Sequence, residues 1–337
     1  MTIRARRKER LDRGIKVRAT SIYGVSSLKE IFYLMAPWQI LILGLLIIPL
    51  VLPSMYWQRV ICMMCIFALL GIAFDFLANF VGIVCLGGAL FIGFGGYIAG
   101  SLNSSFGLSP ALTIPIASIG GAAITTLILL PCLPLRGIYF ATVSLMYPLM
   151  MARIIEALGI FGGTDGLPSL ATYPNIWVDQ YLIIGIVLIS TLAFRRLVNE
   201  DVGVVLRSIK DNDQAVRASA INVTFFKALA VFIASIIGCF AGAYLTHLYG
   251  WVGISLFALD FSILPIAAAV VGGRGTIVGP VLGAFILTPV SESLRAFGTL
   301  RIVFYCLIMA GFIVFMPEGL IKYLERKYHQ FEHWIEV

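Results

Sequence analysis

Long apolar runs, separated by short polar or glycine-containing stretches, fill most of the chain. A helix needs about 20 mainly apolar residues to cross the roughly 30 Å hydrocarbon core of a bilayer. These runs are apolar on both faces, without the alternation of an outer-membrane β-strand, so they predict helices. We expect an all-α polytopic integral membrane protein with about ten transmembrane helices, near residues 38–54, 60–80, 84–103, 110–132, 137–158, 180–197, 227–249, 257–273, 277–294 and 301–317.

Composition agrees with this prediction. Hydrophobic residues make up 60% of the 337 residues and charged residues 12%, whereas soluble domains are roughly 45–50% apolar and about 25% charged. A water-soluble fold is therefore excluded. We divide the chain into a basic arm over 1–37, a transmembrane domain over 38–320 and a tail over 321–337. The arm lacks a short apolar core before a cleavage site, so we expect no cleavable signal peptide.

The positive charges predict the orientation. If the amino terminus is cytoplasmic, ten spans place 20 of the 24 Lys and Arg residues on the cytoplasmic side. The positive-inside rule therefore favours both termini in the cytoplasm. This distribution also accounts for the net charge of +7 without a nucleic-acid partner.

One long polar segment, residues 195–227, interrupts the apolar runs on the cytoplasmic side. Within it, apolar residues recur at helical spacing while charged residues fall on other faces, which predicts an amphipathic helix. The apolar positions are Val205, Ile209, Val216, Ala220 and Val223. Such a helix is either a connector on the membrane surface or an element that docks a partner protein.

The carboxylates Asp75, Glu156 and Glu292 fall within predicted spans. A charged residue at the centre of a membrane helix costs about 2.5 to 3.5 kcal/mol on insertion scales, so each is a functional candidate. The alternative for the two glutamates is an ion pair, because Arg153 lies three residues before Glu156 and Arg295 three residues after Glu292. We take Asp75 and Glu156 as candidates for a translocation pathway.

Glycine-rich stretches predict two kinds of structure. Small residues at helical spacing, such as Gly238 with Gly242 and Gly279 with Gly283, predict close helix packing. The stretches over 87–96 and 272–283 also resemble the unwound segments that line transporter pathways, and their correspondence suggests an internal repeat. The glycines that we assign to the pathway are Gly87, Gly88, Gly272 and Gly273.

Motifs for enzymatic or metal chemistry are weak. No G-x-x-x-x-G-K-[ST] sequence is present, so we expect no ATP binding by this chain. The C-x-x-C of Cys62 and Cys65 has no second pair, and all six cysteines fall in or beside apolar spans, which predicts small buried side chains. The H-x-x-E-H over 329–333 lies near the end of the chain with one other histidine, His247. We therefore expect no zinc site, no cofactor and no enzymatic activity.

Several ordered motifs resemble one transporter family. They are LRGIYFATVSL, GGTDGL, LRSIKDNDQAVRASAINVTFFKALAVFIASIIGCFAGA at 206–243, VVGGRGTIVGPVLGA at 270–284 and MPEGL at 316–320. Together they resemble the permeases of branched-chain amino acid ABC transporters, over about residues 38–320. The resemblance implies an importer subunit for leucine, isoleucine and valine in the cell inner membrane. It implies as partners a second permease, two cytoplasmic ATPase subunits and an outer substrate-binding protein, within membrane lipid.

The resemblance also implies roles for two loops. A coupling helix for the ATPase would lie in the segment 199–226, with the residues Arg207, Ile209, Asp211, Asn212, Asp213, Ala215, Ala218, Ala220, Ile221 and Asn222. On the outer side, candidates for docking the binding protein are Gly162, Gly163, Thr164 and Asp165.

Departures from the family pattern leave the solute open. The family usually has Gly at position 220 and Glu at 213, where this chain has Ala and Asp. Polar residues that the family carries over 82–88 are absent, and Asp75 stands where Asn is common. The remaining alternatives are a permease for urea or short amides, or a proton-coupled secondary transporter that needs no ATPase.

Overall fold

The computed structural model describes residues 44–47, 49, 54–135, 137–173, 175–294, 298, 300–315 and 319–323. The chain divides into two units, 1–47 and 48–337. In the first unit the described residues 44–47 are helical. Most of the first predicted span, the basic arm and nearly all of the tail lie outside the described residues.

Among the described residues of the second unit, the regular secondary structure is helical, apart from one isolated antiparallel bridge between Leu167 and Val252. A π-helical segment, Phe76–Val81, continues the first long helix. The α-helices are α1 Met55–Asp75, α2 Gly88–Phe106, α3 Pro110–Leu129, α4 Ile138–Leu158, α5 Ile176–Asn199, α6 Asp201–Asp211, α7 Asp213–Ala218, α8 Val223–Tyr249, α9 Asp260–Gly272, α10 Gly279–Ser293 and α11 Leu300–Phe315.

Every predicted span after the first overlaps one of these helices. Within the described residues, six helical stretches are long and apolar enough to cross a membrane: Met55–Val81, Pro110–Cys132, Ile138–Leu158, Ile176–Asn199, Val223–Tyr249 and Ile254–Gly272. The expected count of about ten is not confirmed. Helix α10, for example, has 15 residues, and at about 1.5 Å per residue it is shorter than the hydrocarbon core. The all-helical, polytopic membrane architecture is clear.

Helix α1 lies at the centre of the second unit. In its most apolar 18-residue window 89% of residues are buried, against 28% for α4. Helix α1 is apolar on all sides, and such a helix is stable only when it is surrounded. Helices α5, α8, α9 and α10 pack against it. The outward faces of α4 are left for lipid or another chain.

Close packing through glycines confirms the prediction from the small-residue spacing. A Cβ at Gly95 would overlap the carbonyl oxygen of Cys239, and one at Gly242 would overlap that of Ile92. Helices α2 and α8 therefore touch backbone to backbone, which only glycine at these positions permits. Gly283 makes the same close approach to Ala268 between α10 and α9.

The connections fall into two groups at opposite ends of the helices. The segments 79–84, 200–222 and 273–278 lie together, through the hydrogen bonds of Asp75, Asn79 and Lys210. At the other end, residues 103–108, 165–171 and 250–252 are joined by hydrogen bonds of Asn103, His247 and Trp251. This grouping matches the alternation of sides that the predicted spans require.

Candidate functional site

The polar segment between α5 and α8 forms two short helices. Helix α6 ends at Asp211, and Asn212 then starts α7. The Asn212 Oδ1 atom accepts hydrogen bonds from the N–H groups of Gln214 at 3.1 Å and Ala215 at 3.2 Å. This N-cap satisfies two donors that the first turn of a helix leaves unpaired. The segment is helical and amphipathic as predicted, but Asn212 divides it into two helices.

Helix α7 ends in a left-handed turn at Ala220. The N–H of Ala220 donates to the Arg217 carbonyl at 3.1 Å, and Ala220 has φ of +61°. This is the position after a helix where glycine is usual, because a Cβ is strained there. Ala220 is exposed, so it does not belong to the apolar face that the spacing predicted. The geometry gives a reason for the family's preference for glycine.

The two short helices pack on α8 through an apolar cluster. Its buried members are Ile209, Val216 and Val223, with Val205, Ile221 and Phe226 packed against them. Asn222 then caps α8, because its Oδ1 accepts from the Phe225 N–H at 3.1 Å. The cluster and the caps stabilise the segment 201–222, which we call the coupling loop after the role that the resemblance implies.

The residues assigned to ATPase coupling divide into two sets. Ile209 is buried, and Asp213 and Ile221 are half-buried, so these three support the loop from within. The exposed set is Arg207, Asp211, Asn212, Ala215, Ala218, Ala220 and Asn222. Of the assigned residues, this exposed set is the most accessible at the surface of the chain.

The coupling loop contacts the π-helical segment at three points. The guanidinium carbon of Arg207 lies 5.6 Å from the centre of the Phe80 ring, within the range of a cation–π interaction. Lys210 Nζ donates to the Asn79 carbonyl at 2.7 Å. Gly82, with φ of +79°, packs under Lys210, where a Cβ would lie 3.0 Å from its Cγ.

Asp75 is fully buried, and its carboxylate accepts three hydrogen bonds. Oδ1 accepts from Asn79 Nδ2 at 2.7 Å and from the Gly275 N–H at 2.8 Å. Oδ2 accepts from the Ile277 N–H at 3.3 Å. The side chain thus joins α1 to the turn between α9 and α10.

The glycines at 272 and 273 lie in this turn. Gly273 has φ of +132°, and a Cβ at Gly272 would overlap the carbonyl oxygen of Gly279. Thr276 Oγ1 donates to the Gly273 carbonyl at 2.7 Å and accepts from the Gly279 N–H at 3.0 Å. The turn is therefore compact and closed by its own hydrogen bonds.

The other pair of glycines lies beside an irregular segment. Residues 82–87 have no regular secondary structure, whereas α2 begins at Gly88. The expected unwinding from Gly87 to Gly96 is therefore wrong beyond Gly87. The hydroxyls of Ser144 and Ser262 accept from the N–H groups of Leu86 at 3.0 Å and Ala89 at 3.1 Å. These bonds satisfy backbone groups that an unwound segment leaves open.

A cavity of about 360 Å³ lies between the irregular segment and the coupling loop. Its lining includes Val84, Phe140, Lys210, Asn212 and Lys227. It opens at the same end of the molecule as the coupling loop.

The residues predicted to dock the binding protein lie in the loop between α4 and α5, which is hydrogen-bonded to Trp251. Thr164 and Asp165 are exposed, Gly162 is exposed and Gly163 is buried. Trp251 Nε1 donates to the Asp165 carbonyl at 3.2 Å.

A buried histidine holds the end of the same loop. His247 Nδ1 donates to the Ala171 carbonyl at 2.7 Å, since a carbonyl oxygen only accepts. His247 Nε2 lies 2.6 Å from the Thr113 hydroxyl, and Asn103 Oδ1 accepts from the Ala171 N–H at 2.9 Å. The loop is thus fixed at Ala171 to α2 and α8, and His247 in turn contacts α3.

The two glutamates have surface positions in this chain. Glu156 accepts from Arg153 at 2.7 Å, with side chains 40% and 82% exposed, so the expected ion pair is present. Glu292 accepts a hydrogen bond from the Tyr56 hydroxyl at 2.8 Å. Arg295, its expected partner, lies outside the described residues.

Two buried polar residues near the start of α5 were not predicted from the sequence. Asp179 and Gln180 are 5% and 0% exposed, and Asp179 Oδ1 and both atoms of the Gln180 amide lack a described hydrogen-bond partner. The Tyr244 hydroxyl donates to the Asp179 carbonyl at 3.0 Å. Burial, together with the nearby Asp179 carboxylate, raises the pKa of the Tyr173 phenol. The available signal was two adjacent polar residues at the start of a predicted span.

The cysteines are buried thiols at the described positions 62, 65, 85, 132 and 239. No cluster of metal-binding side chains occurs among the residues with described positions. The H-x-x-E-H over 329–333 lies outside them.

Comparison with known proteins adds independent information. Residues 56–316 match the model of a family described as the permease component of branched-chain amino acid transport systems. The chain is 24% identical over 330 residues to the high-affinity branched-chain amino acid transport system permease protein LivM of Salmonella typhimurium, covering 88% of this chain and 76% of that protein. It is 24% identical over 287 residues to LivM of Escherichia coli, covering 76% and 68%.

A more distant similarity extends to archaeal relatives. A probable branched-chain amino acid transport permease protein LivH of Methanocaldococcus jannaschii is 24% identical over 254 residues, covering 67% of this chain and 79% of that protein. No solved structure gives a significant match to the chain.

Proposed function

The chain belongs to the family of branched-chain amino acid transport permeases, and on that premise we propose that it is the translocating subunit of an ABC importer in the cell inner membrane. Its solutes would be leucine, isoleucine and valine. The observation that carries the proposal is the family match over 56–316, which includes the capped coupling loop.

The partners follow from the same proposal. Two cytoplasmic ATPase subunits would bind the exposed residues of the coupling loop, and a second permease would complete the membrane pathway. An outer binding protein would contact the loop around Thr164 and Asp165, whose side chains are exposed. ATP-driven closure of the ATPases would move the coupling loop and shift the helices between outward and inward access.

The topology belongs to this proposal as well. About ten spans with both termini in the cytoplasm would place the coupling loop and the turn over 273–278 on the cytoplasmic side. The grouping of connections at two ends supports this arrangement.

The pathway residues are likewise proposed. The irregular segment runs from Gly82, beside Lys210 of the coupling loop, through Gly87 to Gly88, beside Phe261 in the first turn of α9. The turn at Gly272 and Gly273 lies at the opposite end of α9. In this proposal both line the route of the solute. Glu156 is exposed on α4, which has the least buried apolar window among the six candidate spans. We place it on the surface that faces the second permease.

Solute uptake into proteoliposomes tests the function directly. The vesicles would contain this chain with its second permease, ATPases and binding protein, and leucine, isoleucine, valine and urea would be supplied separately. We expect uptake of the branched-chain amino acids only when ATP is present on the ATPase side. Uptake of urea alone would refute the solute, and uptake by this chain alone under a proton gradient would refute the importer.

Two tryptophan variants separate the proposed docking surfaces. Ala215→Trp places a large side chain on the exposed coupling loop and should prevent copurification of the ATPases. Thr164→Trp places the same side chain on the outer loop and should retain the ATPases while reducing stimulation by the binding protein. If Ala215→Trp retains bound ATPases and normal uptake, the coupling loop is not their docking surface.

A further inference from the structure

A continuous chain of hydrogen bonds joins three segments that are distant in sequence. It runs from Lys210 Nζ to the Asn79 carbonyl at 2.7 Å, and from Asn79 Nδ2 to Asp75 Oδ1 at 2.7 Å. It continues from the carboxylate of Asp75 to the N–H groups of Gly275 and Ile277. Its ends are therefore the coupling loop and the turn between α9 and α10.

We propose that Asp75 and Asn79 form a mechanical link that carries displacement of the coupling loop to the turn between α9 and α10. The inference rests on the proposed importer function and assigns Asp75 as a positioning residue. In this role Asp75 acts through the turn and does not need to touch the solute.

The contacts at the loop end make the link stiff. Lys210 packs against Gly82 as well as bonding to Asn79, and Arg207 lies over the ring of Phe80. Helix α6 therefore contacts Asn79 and Phe80 of the π-helical segment and Gly82 directly after it. A push on the exposed face of α6 reaches this segment directly.

The segment in the middle of the chain of hydrogen bonds is not an ordinary α-helix. Residues Phe76–Val81 are π-helical, and such turns are rare and frequent at functional sites. Conversion to α-helical geometry shifts the register by one residue, which is about 100° of rotation around a helix. That rotation would carry Asn79 away from Lys210. In this proposal the π-helical and α-helical geometries of Phe76–Val81 are the two states that a coupling route requires.

The hydrogen-bond donors around position 75 favour a carboxylate side chain there. The three donors Asn79 Nδ2, Gly275 N–H and Ile277 N–H meet two acceptor oxygens of Asp75. An asparagine there would offer one oxygen and an NH₂ group, so at least one backbone N–H would face another donor. Hydrogen bonds to a carboxylate are also stronger than those to a neutral amide.

The turn passes movement to two helices because it is tightly packed. A Cβ at Gly319 would overlap the Cα of Gly273, and Gly272 approaches the backbone of Gly279 equally closely. Displacement of Gly275 and Ile277 cannot be absorbed within so compact a turn. It must move the ends of α9 and α10, which both pack on α1.

The test measures the number of solute molecules imported per ATP hydrolysed, in the complete transporter. Asp75→Asn and Lys210→Met are each expected to lower this ratio about fivefold or more, with ATP hydrolysis retained. The double variant should import as many solute molecules per ATP as the more impaired single variant, because both changes interrupt the same chain of hydrogen bonds. Arg196→Met is the matched control, since Arg196 is an exposed cation that bonds to Glu200 and not to the π-helical segment.

A second measurement detects the link itself. In Asp75→Asn, amide hydrogen exchange at Gly275 and Ile277 should be about tenfold faster, because a charge-assisted hydrogen bond is lost. If Asp75→Asn does not fold, the surface variant Lys210→Met tests the link by its transport ratio. Unchanged ratios in both variants, or additive losses in the double variant, would overturn the link. Absence of ATP-dependent uptake in the unmodified transporter would instead refute the proposed function.

Discussion

Ala220 provides a test of the coupling loop that is independent of transport. Its φ of +61° places an L-residue in the left-handed region, at a cost of about 1–2 kcal/mol. Ala220→Gly removes the Cβ and its strain. The gain is partly offset because glycine gives the unfolded chain about 0.5–1 kcal/mol more conformational freedom. We expect the variant to stabilise the loop by about 0.5–1 kcal/mol.

Amide hydrogen exchange measures this change locally. If the residues of α7 exchange through opening of the coupling loop, that stabilisation slows their exchange about two- to fivefold. The measurement applies to the purified protein in detergent and does not require unfolding of the membrane helices.

Ala218→Gly is the matched control. Ala218 is the last residue of α7, is exposed and has no positive φ. Glycine at this helical position is expected to destabilise by about 0.5–1 kcal/mol and to accelerate exchange. The two substitutions of alanine by glycine, two residues apart, should therefore have opposite signs. Faster exchange in both variants would refute the account of Ala220 as a strained C-terminal position.

Three further predictions address the rest of the molecule. Gly242→Ala should lower the free energy of unfolding by about 1–3 kcal/mol, because the new Cβ would overlap the Ile92 carbonyl and overpacking is destabilising. Gly185→Ala is the control and should be tolerated, because a Cβ there meets nothing within 4 Å. Asn212→Ala should destabilise the coupling loop by about 1 kcal/mol, because it removes the N-cap of α7, and exchange of α7 should accelerate. Gln180→Leu should raise thermal stability by about 1–3 kcal/mol, since its buried amide has no described partner and an unpaired buried group carries that penalty.

A specific outcome would contradict each of these three predictions. Equal melting temperatures for Gly242→Ala and Gly185→Ala would contradict backbone contact between α2 and α8. Unchanged exchange in Asn212→Ala would show that the apolar cluster alone holds α7. A loss of stability or uptake in Gln180→Leu would show that the amide binds water or solute.

The sequence determined the membrane class, the approximate helix positions and the family. These features depend on local composition, because a helix in lipid satisfies its backbone by itself and needs only a long apolar run. The spacing of Gly238 and Gly242 likewise predicted close packing correctly. Asn is a favoured N-cap residue, yet Asn212 was missed as a break because the helical spacing of apolar residues continues across it, from Ile209 to Val216.

The tertiary structure decided what the polar residues contact. Asp75 was one of several carboxylates in apolar runs, and only the fold brings it to Gly275 and Ile277, about 200 positions later. Glu156 has a similar sequence context, yet it lies on the surface beside Arg153. Burial and hydrogen bonding depend on which helices pack together, and that arrangement cannot be read from one apolar run. The sequence therefore specified the helices, and packing between distant helices set the roles open to their polar side chains.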